Sequence, residues 1–314
     1  MARALAPAPR LAQRRWRRCR RACSARVLAS SRAGTPAGGD ASYELGAAPT
    51  LYCASLVAAA APGAELALSD EEARHARALR LRPGDAVRLV DLCGRVCGAT
   101  LAEGGGGGGG RRGGRRGGAV VAVAAGACET LPWPHPSWDV CVACSTLSGG
   151  RADWLVEKSA ELGAGQLTPL LTERSCSGSQ DTRRRERWER VAHAASKQCL
   201  RAHALALAEP QELLGDAFLR RVRESPAALL ATPGAPPLPR VLDELELGPA
   251  LLDAPASPPE GAMPMLLVGP EGDFTDAEKA ALIEAGARAV GLGRLRLRAE
   301  TAAIAMLASC ALAG

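Results

Sequence analysis

Twice in its last fifty residues the chain runs a short apolar segment into a glycine-rich turn and then into a helix. Met265-Leu266-Leu267-Val268 has no polar alternation, which is the pattern of a strand covered on both faces. Gly269-Pro270-Glu271-Gly272 follows at once, and then Thr275-Asp276-Ala277-Glu278. A threonine with glutamate three residues on is a capping box, so a helix is expected over Thr275–Ala285. The second run is Ala289–Leu292, closed by Gly293, after which Glu300–Leu312 reads as a helix of small and apolar residues. Buried strands alternating with helices require an α/β domain. A glycine turn at the end of such a strand lets backbone approach a ligand closely. The spacing is neither G-x-G-x-x-G nor that of a phosphate loop, which argues against a dinucleotide or nucleoside-triphosphate site.

The same alternation extends upstream. Strands are expected at Val140–Leu147, Gln166–Leu171 and Ala227–Ala231, and helices at Arg151–Gly163 and Arg183–Arg201. Gly163 is placed to cap the first of those helices. Residues 233–262 read as a loop with one helical turn. Leu131-Pro132-Trp133-Pro134-His135-Pro136 is a stiff linker, because three prolines remove backbone donors. Before it, residues 43–131 read as short β segments. Ala86–Val90 alternates, Asp91-Leu92-Cys93-Gly94 turns, and Val96–Leu101 returns as a hairpin. Between that strand and Val120–Val123 lies a Gly/Arg run at 104–118, read as an expanded hairpin loop that either touches RNA phosphates or is simply solvated.

Charge sorts the chain differently from its total of +6. Residues 1–41 hold ten Arg and one Asp, so the remainder is slightly acidic and any nucleic-acid surface must come from local arginine clusters. Arg74, Arg77, Arg80 and Arg82 form one such cluster, and Arg183–Arg187 another. The leader, rich in Arg, Ala and Ser with no acid before Asp40, reads as a transit peptide rather than as a basic RNA-binding tail. Eleven cysteines, an odd number scattered along the chain, suit a reducing compartment. Cys141 and Cys144, three apart on a strand, face opposite sides and cannot share a metal ion, and Cys93 with Cys97 finds no completing pair, so no metal is expected. No apolar run is long enough to span a bilayer. Arg298 and Glu300, at the mouth of an otherwise apolar helix, are by themselves compatible with a surface ion pair.

The segment VGPEGDFTDAEKAALIEAGARAVGLGRLRLRAETAAIAML resembles the ribosomal RNA small subunit methyltransferase E family, SPOUT-class enzymes that methylate N3 of a uridine in 16S rRNA. Lys158-Ser159-Ala160-Glu161-Leu162-Gly163, Glu173-Arg174-Ser175, the run from Ala195 through Gln198 to Arg201, and Ala78-Leu79-Arg80 with Pro83-Gly84-Asp85 extend the likeness. The resemblance implies an α/β fold in which a SPOUT-type trefoil-knot methyltransferase domain at 138–314 follows a small PUA-like β-barrel RNA-binding domain at 43–132. Residues 1–42 then form an organellar transit peptide, chloroplast rather than mitochondrial. It implies S-adenosylmethionine as cofactor, ribosomal RNA of the small subunit as partner, and a homodimer. Cofactor contacts fall on Leu267, Gly269, Pro270, Glu271, Gly272, Leu292, Gly293, Leu297, Arg298 and Thr301, and RNA contacts on Arg80, Lys158, Arg174 and Arg201. Arg298 is the expected catalytic cation, with Glu300 or Glu271 orienting it or taking the proton. The chain departs from the family at Asp273, where glycine is usual, and at Leu295-Arg296, where the first arginine after the Leu-Gly pair is displaced. Asp273 is expected to demand a left-handed backbone. His75 is offset from the family's barrel histidine and takes no role. The alternatives are an inactive RNA-binding factor with the same fold, or a SPOUT enzyme acting on another RNA.

Overall fold

The computed structural model describes residues 48–57, 62–103, 120–131, 137–143, 150–175, 182–245 and 263–312. The leader, the Gly/Arg run and the prolines of the linker lie outside the described residues, as does the end of the strand expected to reach Leu147. The chain divides into two units after Glu129.

The first unit is built on one six-stranded sheet. Its strands are β1 (Thr50–Tyr52), β2 (Glu65–Ala67), β3 (Ala86–Val90), β4 (Arg95–Glu103), β5 (Val120–Ala124) and β6 (Glu129–Thr130), in the order β1-β3-β4-β5-β2 with β6 on β4. β3 and β4 form the expected hairpin, with Val90 opposite Val96. The Asp91 carboxylate closes the turn by accepting from the Cys93 and Arg95 amides at 2.7 and 3.0 Å. Glu103 pairs with Val120, so the Gly/Arg run does join adjacent antiparallel strands. Leu51, Leu66, Val87, Leu89, Ala99, Leu101 and Ala122 fill the core.

This unit also contains a helix, α1 (Asp70–Ala78), in a stretch expected to be β. Ser69 caps it, accepting from the Glu72 amide at 3.2 Å. Ser69-x-x-Glu72 is a capping-box spacing, and three acids in the first turn suit the positive end of the helix dipole. The helix was hidden because its buried stripe is only Glu72, Ala73 and Ala76, too weak to show a 3.6-residue period.

The second unit is a three-layer α/β sandwich. Its strands are β7 (Asp139–Val142), β8 (Gln166–Leu171), β9 (Ala206–Leu207), β10 (Gln211–Glu212), β11 (Ala228–Ala231), β12 (Met265–Val268) and β13 (Arg288–Val290). They run in the order β10-β8-β7-β12-β11-β13, with β9 also on β8, and every pairing is parallel. Alternate residues of each strand face opposite layers. Val140, Val142, Leu266 and Val268 meet α2 (Arg151–Glu161), α3 (Thr182–Gln198), α5 (Leu238–Glu244) and α7 (Ala299–Leu312). Cys141, Leu230, Met265 and Leu267 meet α4 (Asp216–Glu224) and α6 (Asp276–Glu284). The absence of polar alternation in these strands thus reflects two covered faces. α4 was not anticipated, because only Phe218 and Val222 mark its buried side. No helix among the described residues is long and apolar enough to cross a membrane, and no group of three metal-ligating side chains occurs among them.

Two buried polar features stabilise this unit. Asp139, fully buried on β7, accepts from Gln166, Thr168 and Arg221, so its charge is both paired and hydrogen-bonded. His203 is only 5% exposed, and burial, with the Arg201 cation beside it, pulls its pKa down to about 4. The unfolded chain therefore takes up this proton near the ordinary pH 6.5 and the folded one not until about 4. The contribution is complete above about pH 6.5 and drains away as pH falls toward 4, by up to roughly 3 kcal/mol. Urea unfolding at pH 7 and pH 4.5 should show a pH-dependent loss that His203→Gln reduces. An equal loss in the variant would remove His203 from the account.

Candidate active site

The chain leaves β7 for β8 on one side, whereas β12, on the other side of β7, is reached from β11. Open parallel sheets bind ligands outside their carboxyl ends at such a reversal of strand order. At that edge lie Gly269–Gly272 after β12, residues 232–237 after β11 and residues 291–298 after β13.

The first of these loops is shaped by its glycines and held from outside. A Cβ on Gly269 would sit 2.9 Å from the Phe274 amide nitrogen, so the turn closes only around glycine. Asp273 takes the left-handed backbone expected of it, with φ 63°. It tolerates this because its carboxylate is used twice, accepting from the Phe274 amide at 2.8 Å and pairing with Lys279 at 2.7 Å. Arg174 donates to the Gly272 carbonyl. Glu278, almost fully buried, accepts from the Glu173 amide with one oxygen and from the Thr275 amide with the other, both at 2.8 Å, so the capping box also clamps the β8 turn to this loop.

The loop after β13 is pressed against the loop after β11. Gly291 donates to the Pro236 carbonyl at 2.7 Å and accepts from the Leu238 amide at 3.0 Å. Gly293 has φ +104°, a conformation that favours glycine. Leu292 and Leu297 are half-buried against the core. Leu295 is 82% exposed, and Arg296, beside it, turns back to donate to the Glu271 carbonyl. The displaced arginine therefore ties this loop to Gly269–Gly272.

The charged residues are arranged differently from expectation. Glu271 and Glu300 do not pair with Arg298. Both meet Arg151 at the start of α2, at 3.2 and 3.7 Å. Glu300 is buried at the first turn of α7, where the helix dipole favours a carboxylate. Its Oε2 has no hydrogen-bond partner among the described residues. Arg298 is exposed, and its guanidinium makes no hydrogen bond or ion pair among the described residues. Thr301 is exposed and Pro270 buried. Leu267 is fully buried on the α4–α6 side, which makes it part of the scaffold rather than of an open cradle.

The expected RNA contacts separate. Arg80 is exposed beyond α1, with Arg74, Arg77 and Arg82 also exposed nearby in sequence. Lys158 is engaged by Glu157 and Glu161 at 2.8 and 2.9 Å. Arg174 serves the cofactor-side loop. Arg201, expected at the RNA, is instead buried, donating to the Ala160 and Ala164 carbonyls at 2.6 and 2.9 Å. It satisfies the open carbonyl end of α2, where a cation is favoured. In the α3 cluster Arg187 pairs with Asp153, Arg185 with Glu189 and Glu209, and Arg184 lies over Trp188. Arg151 and Arg296 were missed, because spacing along the chain does not show which carbonyl or carboxylate an arginine will face.

Residues 134–311 match the RNA methyltransferase domain family, and residues 68–107 match the RNA methyltransferase PUA domain. Ribosomal RNA small subunit methyltransferase E of Mycobacterium bovis is 31% identical over 249 residues, covering 78% of this chain and 85% of that protein. The protein of the same description from Synechocystis is 30% identical over 235 residues, covering 74% and 67%. Among solved structures, a Legionella pneumophila protein described as a methyltransferase, in complex with the bound cofactor SAM, superimposes with a TM-score of 0.61 at 26% identity, covering 85% of this chain and 97% of that one. Ribosomal RNA small subunit methyltransferase E from Neisseria gonorrhoeae shares the fold, with a TM-score of 0.62 at 23% identity over 85% of this chain and 98% of that one.

Proposed function

The chain belongs to the ribosomal RNA small subunit methyltransferase E family, and from that premise we propose that it methylates N3 of a uridine in the small-subunit ribosomal RNA of the chloroplast. It is an S-adenosylmethionine-dependent ribosomal RNA methyltransferase. One observation supports the reading most: Arg296 and Gly291 draw the loops after β11, β12 and β13 together at the carboxyl edge of the sheet.

The residues there fit the cofactor. Adenine needs apolar flanks and main-chain groups that read its edge. The loops offer half-buried Leu292 and Leu297 and glycine backbone at Gly269 and Gly293, and α7 adds a buried carboxylate oxygen on Glu300 that has no hydrogen-bond partner among the described residues. Gly269, Pro270, Glu271, Gly272, Leu292, Gly293, Leu297, Arg298 and Thr301 would hold it. When bound, it supplies a methyl group carried on a positively charged sulfur. Uracil N3 is protonated at neutral pH and becomes nucleophilic only as that proton leaves. Arg298, permanently charged and without a hydrogen bond or ion pair among the described residues, stabilises the anion that develops on the uracil oxygens. Glu300 or Glu271 takes the proton, directly or through water. Arg74, Arg77, Arg80 and Arg82 contribute phosphate contacts. The hydrogen bonds that hold Gly291 against the β11 loop support a trefoil knot. Exposed Trp154 and Leu312 support a homodimer.

The test is methyl transfer from labelled S-adenosylmethionine to small ribosomal subunits, with the product nucleoside identified by mass spectrometry. N3-methyluridine is expected, and its absence from organellar small-subunit RNA of a strain lacking the gene. Methyl groups on another atom would overturn the N3 assignment. A protein that binds no S-adenosylmethionine by calorimetry would overturn the enzyme.

A further inference from the structure

Arg151 stands outside every motif that marks the site, yet its guanidinium lies between Glu271 of the β12 loop and Glu300 of α7. One cation between two carboxylates leaves the trio with net negative charge. The two acids differ. Glu271 has 44% of its side chain exposed, so water can solvate it, whereas that of Glu300 is 6% exposed. Arg151 meets Glu300 through Oε1, and Oε2 is buried with no hydrogen-bond partner among the described residues. Buried carboxylate oxygens are rarely left without a donor, because burial removes the water that would otherwise satisfy them. A carboxylate that meets a cation through one oxygen and lacks a donor at the other keeps acceptor capacity there.

We infer that Arg151 is a positioning residue that fixes Glu300 so that Oε2 accepts the ring N–H of the target base. This rests on the methyltransferase reading above. The step balances: the N3–H bond breaks, its proton forms an O–H bond on Glu300 Oε2, and the electron pair stays on the base. Arg151 neither touches the base nor takes the proton. Its two carboxylate contacts set the direction in which Oε2 points and keep the Glu300 charge from being stranded once buried. Glu271 shares the cation and ties this arrangement to the loop whose carbonyl Arg296 holds.

The experiment is a double-mutant cycle of Arg151→Ala and Glu300→Gln, with Arg151→Lys as the conservative variant. Arg151→Ala should lower kcat about thirtyfold or more, with KM for small ribosomal subunits and calorimetric affinity for S-adenosylmethionine within about threefold of wild type. Arg151→Lys should recover a substantial part of kcat. In the Glu300→Gln background, Arg151→Ala should cost less than about threefold. Thermal unfolding of the cofactor-free proteins supplies a reading independent of activity. Arg151→Ala should lower Tm by several degrees, and adding Glu300→Gln should restore part of it, since no stranded carboxylate remains. Equal kcat losses in both backgrounds, or a loss confined to KM, would overturn the proposal. So would additive Tm shifts, and these decide the Arg151–Glu300 coupling even if the wild-type protein transfers no methyl group, the result that removes the enzymatic reading itself.

Discussion

Arg298→Ala is expected to lower the turnover of methyl transfer at saturating S-adenosylmethionine by about a hundredfold to a thousandfold, the scale seen when a donor aimed at developing negative charge is removed. The structural case rests on where this cation sits. Residue 298 immediately precedes α7, and its carbonyl accepts the Ala302 amide, so it occupies the positive end of a helix. A helix start favours carboxylates and disfavours cations, so the position gains no stability from arginine. Nor does the side chain compensate by pairing, since it is exposed and unengaged among the described residues. A charge kept in an unfavourable place, two residues before the buried Glu300, is available for a ligand. Arg298→Lys should retain part of the rate, because a point charge remains while the planar fork is lost. Turnover of Arg298→Ala within threefold of wild type, measured on small ribosomal subunits at saturating cofactor, would remove Arg298 from the chemistry.

Gly291→Ala has the largest expected effect on stability. The added Cβ would lie 2.4 Å from the Ala235 carbonyl oxygen, a backbone atom that cannot rotate away. The loops after β11 and β13 must separate, and both hydrogen bonds of Gly291, to Pro236 and from Leu238, lengthen. Overpacking of this kind costs about 2–3 kcal/mol. For a domain of this size that is a Tm lower by roughly 5–10 °C. Because Leu292 and Gly293 follow directly, calorimetric affinity for S-adenosylmethionine should also fall at least tenfold. Gly293→Ala is the comparison: its Cβ meets no atom within 4 Å among the described residues, and only the φ of +104° is violated. It should cost less than Gly291→Ala. The reverse order would show that the contact between loops does not govern this edge.

Much of the second unit could be read from local pattern. Met265–Val268 and Gln166–Leu171 form strands where the apolar runs place them, and the capping box at Thr275–Glu278 forms with both of its hydrogen bonds. Asp273 adopts the left-handed conformation expected of a residue in a glycine position. These features are decided within a few residues, so the sequence displays them. α1 and α4 were not read, because each buries too few apolar side chains to give a period. The long helix ends at Gln198 rather than Arg201, with Leu200 taking φ 60°, so that Arg201 folds back onto α2. The partners of Arg151, Arg174, Arg201 and Arg296 are set by tertiary approach. Arg151 and Glu271 are 120 residues apart, and no local rule connects them.

Three of the arginines that hold this unit together grip main-chain oxygen: Arg174 at Gly272, Arg201 at Ala160 and Ala164, and Arg296 at Glu271. A carbonyl is present whatever side chain its residue carries. Substitution at Ala160, Ala164 or Glu271 leaves the accepting atom in place, so this contact constrains the arginine and not the side chain of its partner. Such a contact is inherited by one residue alone. Among related chains, paired substitutions, the usual trace of a contact in an alignment, should be missing between each of these arginines and the residue whose carbonyl it grips, while they persist between Arg151 and its two carboxylates.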